Sequence, residues 1–339
     1  MADPKTCAGE KRAKKRKDVQ KRHRWRVLKS KTWIFCSSRT TNGQFYFSEF
    51  TEADNKLVFG LMIVAMKRYG VELAGFVLMS GHLHALLRAR RGRQISSWMQ
   101  YVKAGIARMV RTKYGTDGPI WGSRFKSTNL LDDESEFKIL DYISLHGVKE
   151  GLVSTPMAWP LANTAAALVG DGWIYGLAPS RLEDGKLVEV KSQLTPLSKW
   201  SGDQRGYHRT MKAQVEQLVA DEAVSRALKK LPPAPKDAAE RVQDWRHIPA
   251  DIKRSTSKTF KALGLGAKEL LKEAYEARRA GITGAIKAAG VLVRRGECAQ
   301  TAMCEELEWP PFVTAAQEDE GFIELSFIEA VHGAASALI

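Results

Sequence analysis

The sequence of 339 residues lacks several features by which common protein classes are recognised. Its four cysteines, Cys7, Cys36, Cys298 and Cys304, include no Cys-x-x-Cys pair, which argues against a zinc ribbon and against a disulfide framework. The longest apolar run, at 57–66, is too short to cross a bilayer. No apolar segment follows the basic N-terminus, and no glycine-rich nucleotide-binding loop is visible. We therefore expect a cytoplasmic protein without a membrane partner.

Acidic residues are scarce at one end of the chain, and basic residues are absent from the other. The net charge is +15, yet residues 1–31 contain thirteen Lys and Arg against three acids, whereas residues 296–339 contain nine acids and neither Lys nor Arg. A positive charge of this size predicts a polyanionic partner, most simply nucleic acid. We interpret residues 1–31 as a basic arm that contacts phosphates, with a solvated tail as the alternative.

The apolar pattern of residues 32–153 predicts strands and helices in a defined order. Runs of β-branched and aromatic residues predict strands, and apolar residues at helical spacing predict helices. The strands are expected at 32–40, 71–79, 80–89 and within 118–131, and the helices at 50–70, 92–115 and 132–153. This β-α-β-β-α-β order with an added helix predicts an α+β protein with a ferredoxin-like domain. The strand at 80–89 would be central, and the last helix would lie across the sheet.

The stretch GHLHALL at 81–87 contains two histidines, His82 and His84. Because side chains two apart on a strand point to one face, both imidazoles should lie together, with Leu83 buried behind them. Two neutral imidazoles on one face form half of a divalent metal site. The alternative is a pair of ordinary strand histidines, either hydrogen-bonded or exposed.

The helix predicted at 132–153 adds Tyr142 and His146, which are one turn apart on one face. A metal held by His82, His84 and His146 would polarise a phosphate oxygen, and Tyr142 would attack phosphorus, forming a phosphotyrosine and releasing a 3′-hydroxyl. A phenol with a pKa near ~10 needs help to ionise. The sequence offers two cations for that purpose, Lys103 and Lys149. The alternative for Tyr142 is an interfacial tyrosine with its hydroxyl in solvent.

Residues 32–178 resemble the single-tyrosine HUH transposases, most closely the REP-associated tyrosine transposases. The family's His-apolar-His motif is matched by residues 82–84, its W-x-x-R-F segment by WGSRF with Trp121 and Arg124, and its tyrosine helix by YISLHGVKEGLV. The element AWPLANT at 158–164 is similar to the family's trailing W-P motif. The motifs occur in the order that the family shows. The resemblance as a whole covers somewhat under half of the chain.

The resemblance implies metal-dependent cleavage and rejoining of single-stranded or hairpin DNA, with Tyr142 as the nucleophile and Mg or Mn as the cofactor. Where the family carries Asn or Gln as the third ligand, this chain has His146, which favours Mn or Zn. A monomer or homodimer in a bacterial cytoplasm, associated with the nucleoid, is expected. The expected DNA-binding residues are Arg88, Arg90, Arg91, Arg93, Lys103, Trp121, Arg124 and Lys149. The four arginines beside the HxH strand have a solvated charged loop as their alternative.

Other functions stay open at the level of sequence. A DNA-binding protein adopted by its host, with weak catalysis, would explain the unusual third ligand. A replication initiator or relaxase shares the HUH chemistry, although relaxases place the tyrosine ahead of the histidines. A basic RNA-binding or structural protein would have to match three ordered motifs by chance.

The C-terminal half falls outside the resemblance. Residues 179–204 are expected to be a linker with little regular structure, apart from a strand at KLVEVK, and 205–339 a mainly helical region of unknown role with an acidic tail. We therefore divide the chain into a basic arm (1–31), an HUH domain (32–178), a linker and a helical region.

Overall fold

The computed structural model describes residues 28–180, 186–232, 244–246, 248, 260–263, 266–278 and 280. The elements treated below lie in a compact unit that runs from Leu28 to Tyr275. Nearly all of the basic arm, and the whole of the acidic tail, lie outside the described residues. No helix among the described residues is long and apolar enough to span a membrane.

The core of the unit is an antiparallel sheet whose order is β2-β3-β1-β4. Two helices connect its strands, α1 between β1 and β2 and α2 between β3 and β4. The strands are β1 (Ile34–Arg39), β2 (Val71–Met79), β3 (His82–Ala89) and β4 (Lys126–Leu130), and the helices are α1 (Glu52–Tyr69) and α2 (Gly92–Tyr114). This arrangement is the ferredoxin-like βαββαβ fold, so the predicted fold is confirmed. The HxH strand β3 lies between β2 and β1, as expected.

The two central helices pack side by side. The Trp98 indole of α2 donates a hydrogen bond to the carbonyl of Met62 in α1 at 3.3 Å. Gly105 leaves room for the Leu61 side chain, which would lie 2.5 Å from a Cβ atom at that position. Right-handed crossovers place both helices on one face of the sheet. That face is therefore closed, and any site has to form on the other.

The second face of the sheet is covered by α3 (Asp133–Ser144), which packs on β2 and β3. Gly75 permits this contact, since a Cβ there would lie 2.7 Å from Leu140 Cδ1. Along β1, the residues on the closed face are buried, whereas Phe35 and Ser37 are partly exposed and Arg39 is exposed. The half of this face over β1 is therefore more open than the half under α3.

The helix predicted at 132–153 is wrong in its extent. Helix α3 ends at Ser144, Leu145 has ψ 13°, and a short helix α4 (His146–Lys149) follows. Residues 145–148 are buried in succession. A straight helix on a sheet buries only one stripe, so the chain has to change direction for four consecutive residues to be buried.

Beyond the ferredoxin-like unit, a helix α5 (Ala165–Val169) leads into a hairpin of β5 (Trp173–Pro179) and β6 (Leu187–Gln193). The strand predicted at KLVEVK is confirmed, but its partner β5 was not predicted. The hairpin packs backbone to backbone on α1, because a Cβ on Gly60 would lie 1.8 Å from the Leu177 carbonyl oxygen. The contact depends on two glycines far apart in the chain, Gly60 of α1 and Gly176 of β5, so no local pattern in the sequence reveals it.

The helix predicted from residue 205 is confirmed as α6 (Gln204–Leu228), and its N-cap Asp203 accepts a hydrogen bond from the Gly206 amide. A two-residue strand, β7 (Phe260–Lys261), pairs with β4 in parallel and adds a fifth strand that the sequence did not predict. Residues 267–275 are helical. Helix α6 matters for the site, because it packs against the far side of α3 and α4.

Candidate active site

Three histidines meet on the open side of β3. His82 and His84 point from the strand to one face, Leu83 is fully buried behind them, and His146 approaches from the first residue of α4. The ring centroids of His82, His84 and His146 lie 4.8–5.1 Å apart. The Nε2 atoms of His82 and His146 are 2.9 Å apart. The predicted alternation is confirmed, and the break after α3 still leaves His146 on the side of Tyr142.

Tyr142 adjoins the same cluster from the last turn of α3. Its ring centroid lies 4.8 Å from that of His146 and 5.4 Å from that of His84. Its hydroxyl is 3.5 Å from His84 Nε2, which is long for a hydrogen bond. Phe35 of β1 stacks on His84 at 5.2 Å and meets the Tyr142 ring edge-on at 6.0 Å. The Tyr142 phenol is therefore held beside the imidazoles by contacts with the rings of Phe35, His84 and His146.

The three imidazoles are neutral at neutral pH. Burial lowers the pKa of His82 to about 3, with the charges of His146 and Arg39 adding to the effect. Burial likewise lowers the pKa of His146 to about 4 and that of His84 well below its usual range. Each ring therefore keeps a lone pair on one nitrogen, which is the form that binds a metal.

The Tyr142 hydroxyl is protonated at neutral pH. The pKa of Tyr142 is raised to about 12, mainly by burial, with the charge of Glu150 also raising it and the charge of Arg39 lowering it. A phenol in this state is a weak nucleophile. An added positive charge beside the phenol would favour its ionised form.

The cluster fits a divalent metal ion. One nitrogen from each histidine lies within 4.8 Å of the others, and among the described residues no other group of three or more His, Cys, Asp or Glu is arranged in this way. The Nδ1 atoms of His84 and His146 are buried and have no hydrogen-bond partner within the described part of the chain. The ring nitrogens that converge are the Nε2 atoms, and those of His82 and His146 lie 2.9 Å apart, close enough to share one ion. An all-imidazole set favours Mn or Zn over Mg.

The tyrosine helix is braced from behind by the segment that follows the hairpin. Gln214 of α6 donates a hydrogen bond to the Asp141 carboxylate at 2.6 Å, next to the tyrosine. The Ser198 amide and hydroxyl donate to the two oxygens of Glu136 in the first turns of α3, both at 3.1 Å. Burial raises the pKa of Asp141 to about 6. These contacts fix the rotation of α3, and with it the direction of Tyr142.

Three of the predicted DNA-binding residues lie near the end of β1 that carries Arg39. Trp121 pairs with Thr40 in an isolated bridge, and the Gly122 amide donates to the Arg39 carbonyl at 3.1 Å. The Lys103 ammonium lies 5.2 Å from the centroid of the Trp121 ring and donates to the Ser123 carbonyl. Arg124 is exposed just beyond. The structure therefore brings the W-x-x-R-F segment to the histidine end of the sheet.

The other predicted arginines lie at the opposite end of β3. Arg88 is six residues from His82, a distance of roughly 20 Å along a strand. Its guanidinium pairs with Glu72 and lies 4.6 Å from the centroid of the Trp33 ring. Further along, Arg90, Arg91 and Arg93 are exposed. The structure does not bring this group to the histidines. Lys149, in contrast, is exposed on α4 and its charge acts on His146 and Asp141.

The sequence analysis missed Arg39. The sequence offered only weak evidence for it. Arg39 lies at the end of the strand predicted from TWIFCSSRT, and strand alternation places its side chain on the same face as Phe35 and Ser37. Only the pairing register shows that Arg39 lies directly opposite His82. Register depends on long-range contacts between strands, which no local pattern reveals.

Comparison with known proteins agrees with the geometry. Residues 48–146, which include Tyr142 and all three histidines, match the family model described as "Transposase IS200 like". This segment is similar to the IS200-like transposases. The resemblance stated from the motifs is therefore confirmed, and the match supports a transposase function. It covers less than half of the chain and begins after β1.

Two solved structures are also similar to part of this chain. One is the REP-associated tyrosine transposase bound to a REP hairpin, with 20% identity over 42% of this chain and 81% of that one, and a TM-score of 0.34. Another is a candidate transposase from Deinococcus radiodurans R1, with 16% identity over 36% of this chain and 95% of that one, and a TM-score of 0.26. Among curated proteins, none matches the chain.

Proposed function

We propose that this IS200-like transposase cleaves and rejoins single-stranded DNA through a covalent bond to Tyr142. The observation that carries the proposal is the juxtaposition of the Tyr142 ring, at 4.8 Å, with a cluster of three neutral histidines. A buried phenol beside a candidate metal site is the combination that nucleophilic attack on a phosphodiester needs. The net charge of +15 supports a nucleic-acid substrate.

In this proposal, His82, His84 and His146 hold a divalent ion. When bound, such an ion supplies a Lewis acid for a non-bridging oxygen of the scissile phosphate and favours the ionised phenol. Tyr142 Oη attacks phosphorus, a new P–O bond to tyrosine forms, and the P–O3′ bond breaks. The proton lost from the phenol ends on the leaving 3′ oxygen. Rejoining is the reverse attack by a 3′-hydroxyl, and it needs no nucleotide cofactor because the phosphotyrosine keeps the bond energy.

The substrate class is single-stranded or hairpin DNA, as the resemblance to the REP-associated transposases implies. The REP-associated transposase named above was solved with a hairpin bound. The ion is Mn or Mg, with Mn favoured by the all-histidine ligand set. The proposal includes the division into an arm (1–31), an HUH domain (32–178), a linker (179–204) and a helical region (205–339). It also includes a monomeric or homodimeric state in the bacterial nucleoid.

A second function is favoured by one observation. The third candidate ligand is His146, whereas the family carries Asn or Gln, and an altered ligand is what loss of catalysis leaves behind. In that case the chain binds DNA without cutting it, as a protein adopted by its host. The two functions differ in a single measurable product, a covalent protein–DNA adduct.

The test is a cleavage assay on a labelled pool of single-stranded hairpin DNA with randomised flanks, in Mn or Mg. Wild type is compared with Tyr142→Phe and His82→Ala, and with Tyr175→Phe as a matched control, because Tyr175 is exposed on β5. We expect an adduct that resists denaturant in wild type and in the control, and no adduct in the other two variants. An adduct that survives Tyr142→Phe would contradict the proposed nucleophile. DNA binding without any adduct would favour the second function.

A further inference from the structure

The half of the sheet face that α3 leaves uncovered borders directly on the histidine cluster. Its side chains come from β1 and β4, and they share a face with His82 and His84 because residues opposite one another in antiparallel strands point the same way. We call this surface the open face; it consists of Phe35, Ser37, Arg39 and Lys126.

Arg39 is the charged member of the open face nearest to the cluster. It is the last residue of β1, lies directly opposite His82 in the register, and is exposed. Within the described residues, its guanidinium makes no hydrogen bond and no ion pair. Its charge is felt by His82, His84 and Tyr142, whose pKa values it lowers. A cation therefore lies beside the candidate nucleophile, and the Glu150 carboxylate, whose charge also acts on Tyr142, forms no ion pair with it among the described residues.

Lys126 extends the positive charge away from the cluster. It opposes Ser37, which in turn opposes His84, so the three residues form one row across the sheet. Two strand spacings separate Lys126 from His84, roughly 10 Å. Neither β1 nor the paired part of β4 contributes an acidic side chain to this face. The row therefore runs from the candidate metal site to an exposed cation at the start of β4.

We propose that the open face is the track along which a single DNA strand reaches the site, with Arg39 contacting the scissile phosphate and Lys126 the neighbouring one. This inference rests on the proposed function and deepens it. The planar guanidinium of Arg39 donates two hydrogen bonds to phosphate oxygens, and its fixed charge stabilises the negative charge that builds up as the P–O bonds exchange. Lys126 acts as a point charge that aligns the strand.

The experiment compares Arg39→Ala, Arg39→Lys and Lys126→Ala with Arg108→Ala, an exposed arginine on α2, which covers the other face of the sheet. Two readouts are measured on full-length protein with Mn²⁺. One is the rate of adduct formation on the hairpin pool, and the other is the salt dependence of binding to a 20-nucleotide oligothymidine strand. Binding of Mn²⁺ alone is measured for every variant, because a merely structural role for Arg39 would change it.

We expect Arg39→Ala to slow adduct formation by about 100-fold or more, the size of effect seen when one donor to a reacting oxyanion is lost. The slope of log affinity against log salt should fall by about 1 in both alanine variants, since each loses one phosphate contact. Lys126→Ala should slow adduct formation only a few-fold, and Arg39→Lys should recover part of the rate. Mn²⁺ binding, and every value for Arg108→Ala, should match wild type.

The outcomes separate this inference from the proposed function. If the adduct forms as fast in Arg39→Ala as in wild type, the proposed DNA track is contradicted while the proposed nuclease function is supported. In a second outcome, wild type forms no adduct, but both alanine variants show a smaller salt slope of DNA binding than Arg108→Ala. That result would support the proposed DNA track and contradict the proposed nuclease function. Unchanged salt slopes together with no adduct overturn both. Loss of Mn²⁺ binding in Arg39→Ala would assign Arg39 to positioning the ligands and would overturn the phosphate contact.

Discussion

The two ends of β3 look equally functional in sequence but differ in the structure. One end carries His82 and His84, and the other leads through Arg88 into a run of exposed arginines. At the histidine end, three imidazoles converge beside Tyr142, and Arg39 forms no ion pair among the described residues. At the arginine end, Arg88 is already engaged by Glu72 and by Trp33. A cluster of donors that can share one ion, next to a cation without an ion pair, is a better sign of a ligand site than a cation already held by a carboxylate and an aromatic ring.

The largest effect should come from His84→Ala, which removes the inner ligand of the candidate metal site. We expect at least a 1,000-fold loss of adduct formation, because losing a ligand from a catalytic metal site removes the ion and its charge stabilisation. The loss should be accompanied by weaker binding of Mn²⁺, measured by titration of the metal alone. The functional difference between the two ends of β3 would be contradicted if His84→Ala still cleaves DNA in Mn²⁺ while Arg88→Ala does not.

The next effect concerns the choice of metal. His146→Asn replaces an imidazole by the amide oxygen that the family carries at this position. Oxygen ligands suit Mg, whereas imidazoles suit Mn and Zn, so the ratio of adduct formed in Mg²⁺ to that formed in Mn²⁺ should rise about 10-fold, a typical effect of altered metal affinity. An unchanged ratio would show that His146 does not contact the ion. Asn163→Ala, outside the cluster, serves as the control.

A moderate effect on stability is expected from the brace behind the tyrosine. Asp141 has a pKa of about 6 in the folded chain against roughly 3.9 when unfolded, so the native state binds more protons between these values. The stability that the neutral carboxyl provides is full below about pH 4 and is lost as the pH rises through 6. Asp141→Asn keeps an acceptor for Gln214 and should raise the free energy of unfolding at pH 7 by about 1–2 kcal/mol.

The measurement for this variant is urea denaturation between pH 4 and 8. The gain in the free energy of unfolding should vanish towards pH 4, where the Asp141 carboxyl of wild type is also neutral. Asp117→Asn, at an exposed position, provides the reference and should change little at any pH. A gain that is independent of pH would mean that burial of the charge is not its cause.

The smallest effect is expected at the arginine end. Arg88→Ala should lower the free energy of unfolding by about 1 kcal/mol, from the loss of a partly exposed ion pair and a contact with the Trp33 ring. Adduct formation should change less than about 3-fold, because Arg88 lies ~13 Å along the strand from His84, the nearest cluster histidine on β3, and touches no reacting atom. If Arg88→Ala lowers DNA affinity as much as Arg39→Ala does, the distinction between the two ends of β3 fails and the DNA follows the arginines.

Much of the fold could be predicted from the sequence, because its signals are local. The His82-Leu83-His84 alternation depends only on the geometry of a strand, and the ends of α1 are marked by the Thr51–Asp54 capping box and by Gly70. The errors lie where tertiary packing overrides local patterns. The single helix predicted at 132–153 is broken at Leu145 by burial of four successive residues, and β5 is held by a close backbone contact at Gly60.

By itself, the sequence determined the order of the elements and the residue types of the candidate chemistry: two histidines on one strand face, and a tyrosine and a third histidine one turn apart. These follow from the periods of strands and helices, which need no partner. Only the tertiary structure decided which cations stand beside them. Arg39 reaches the cluster because strand pairing places it opposite His82, whereas Arg88, on the same face of β3, lies farther along the strand and pairs with Glu72.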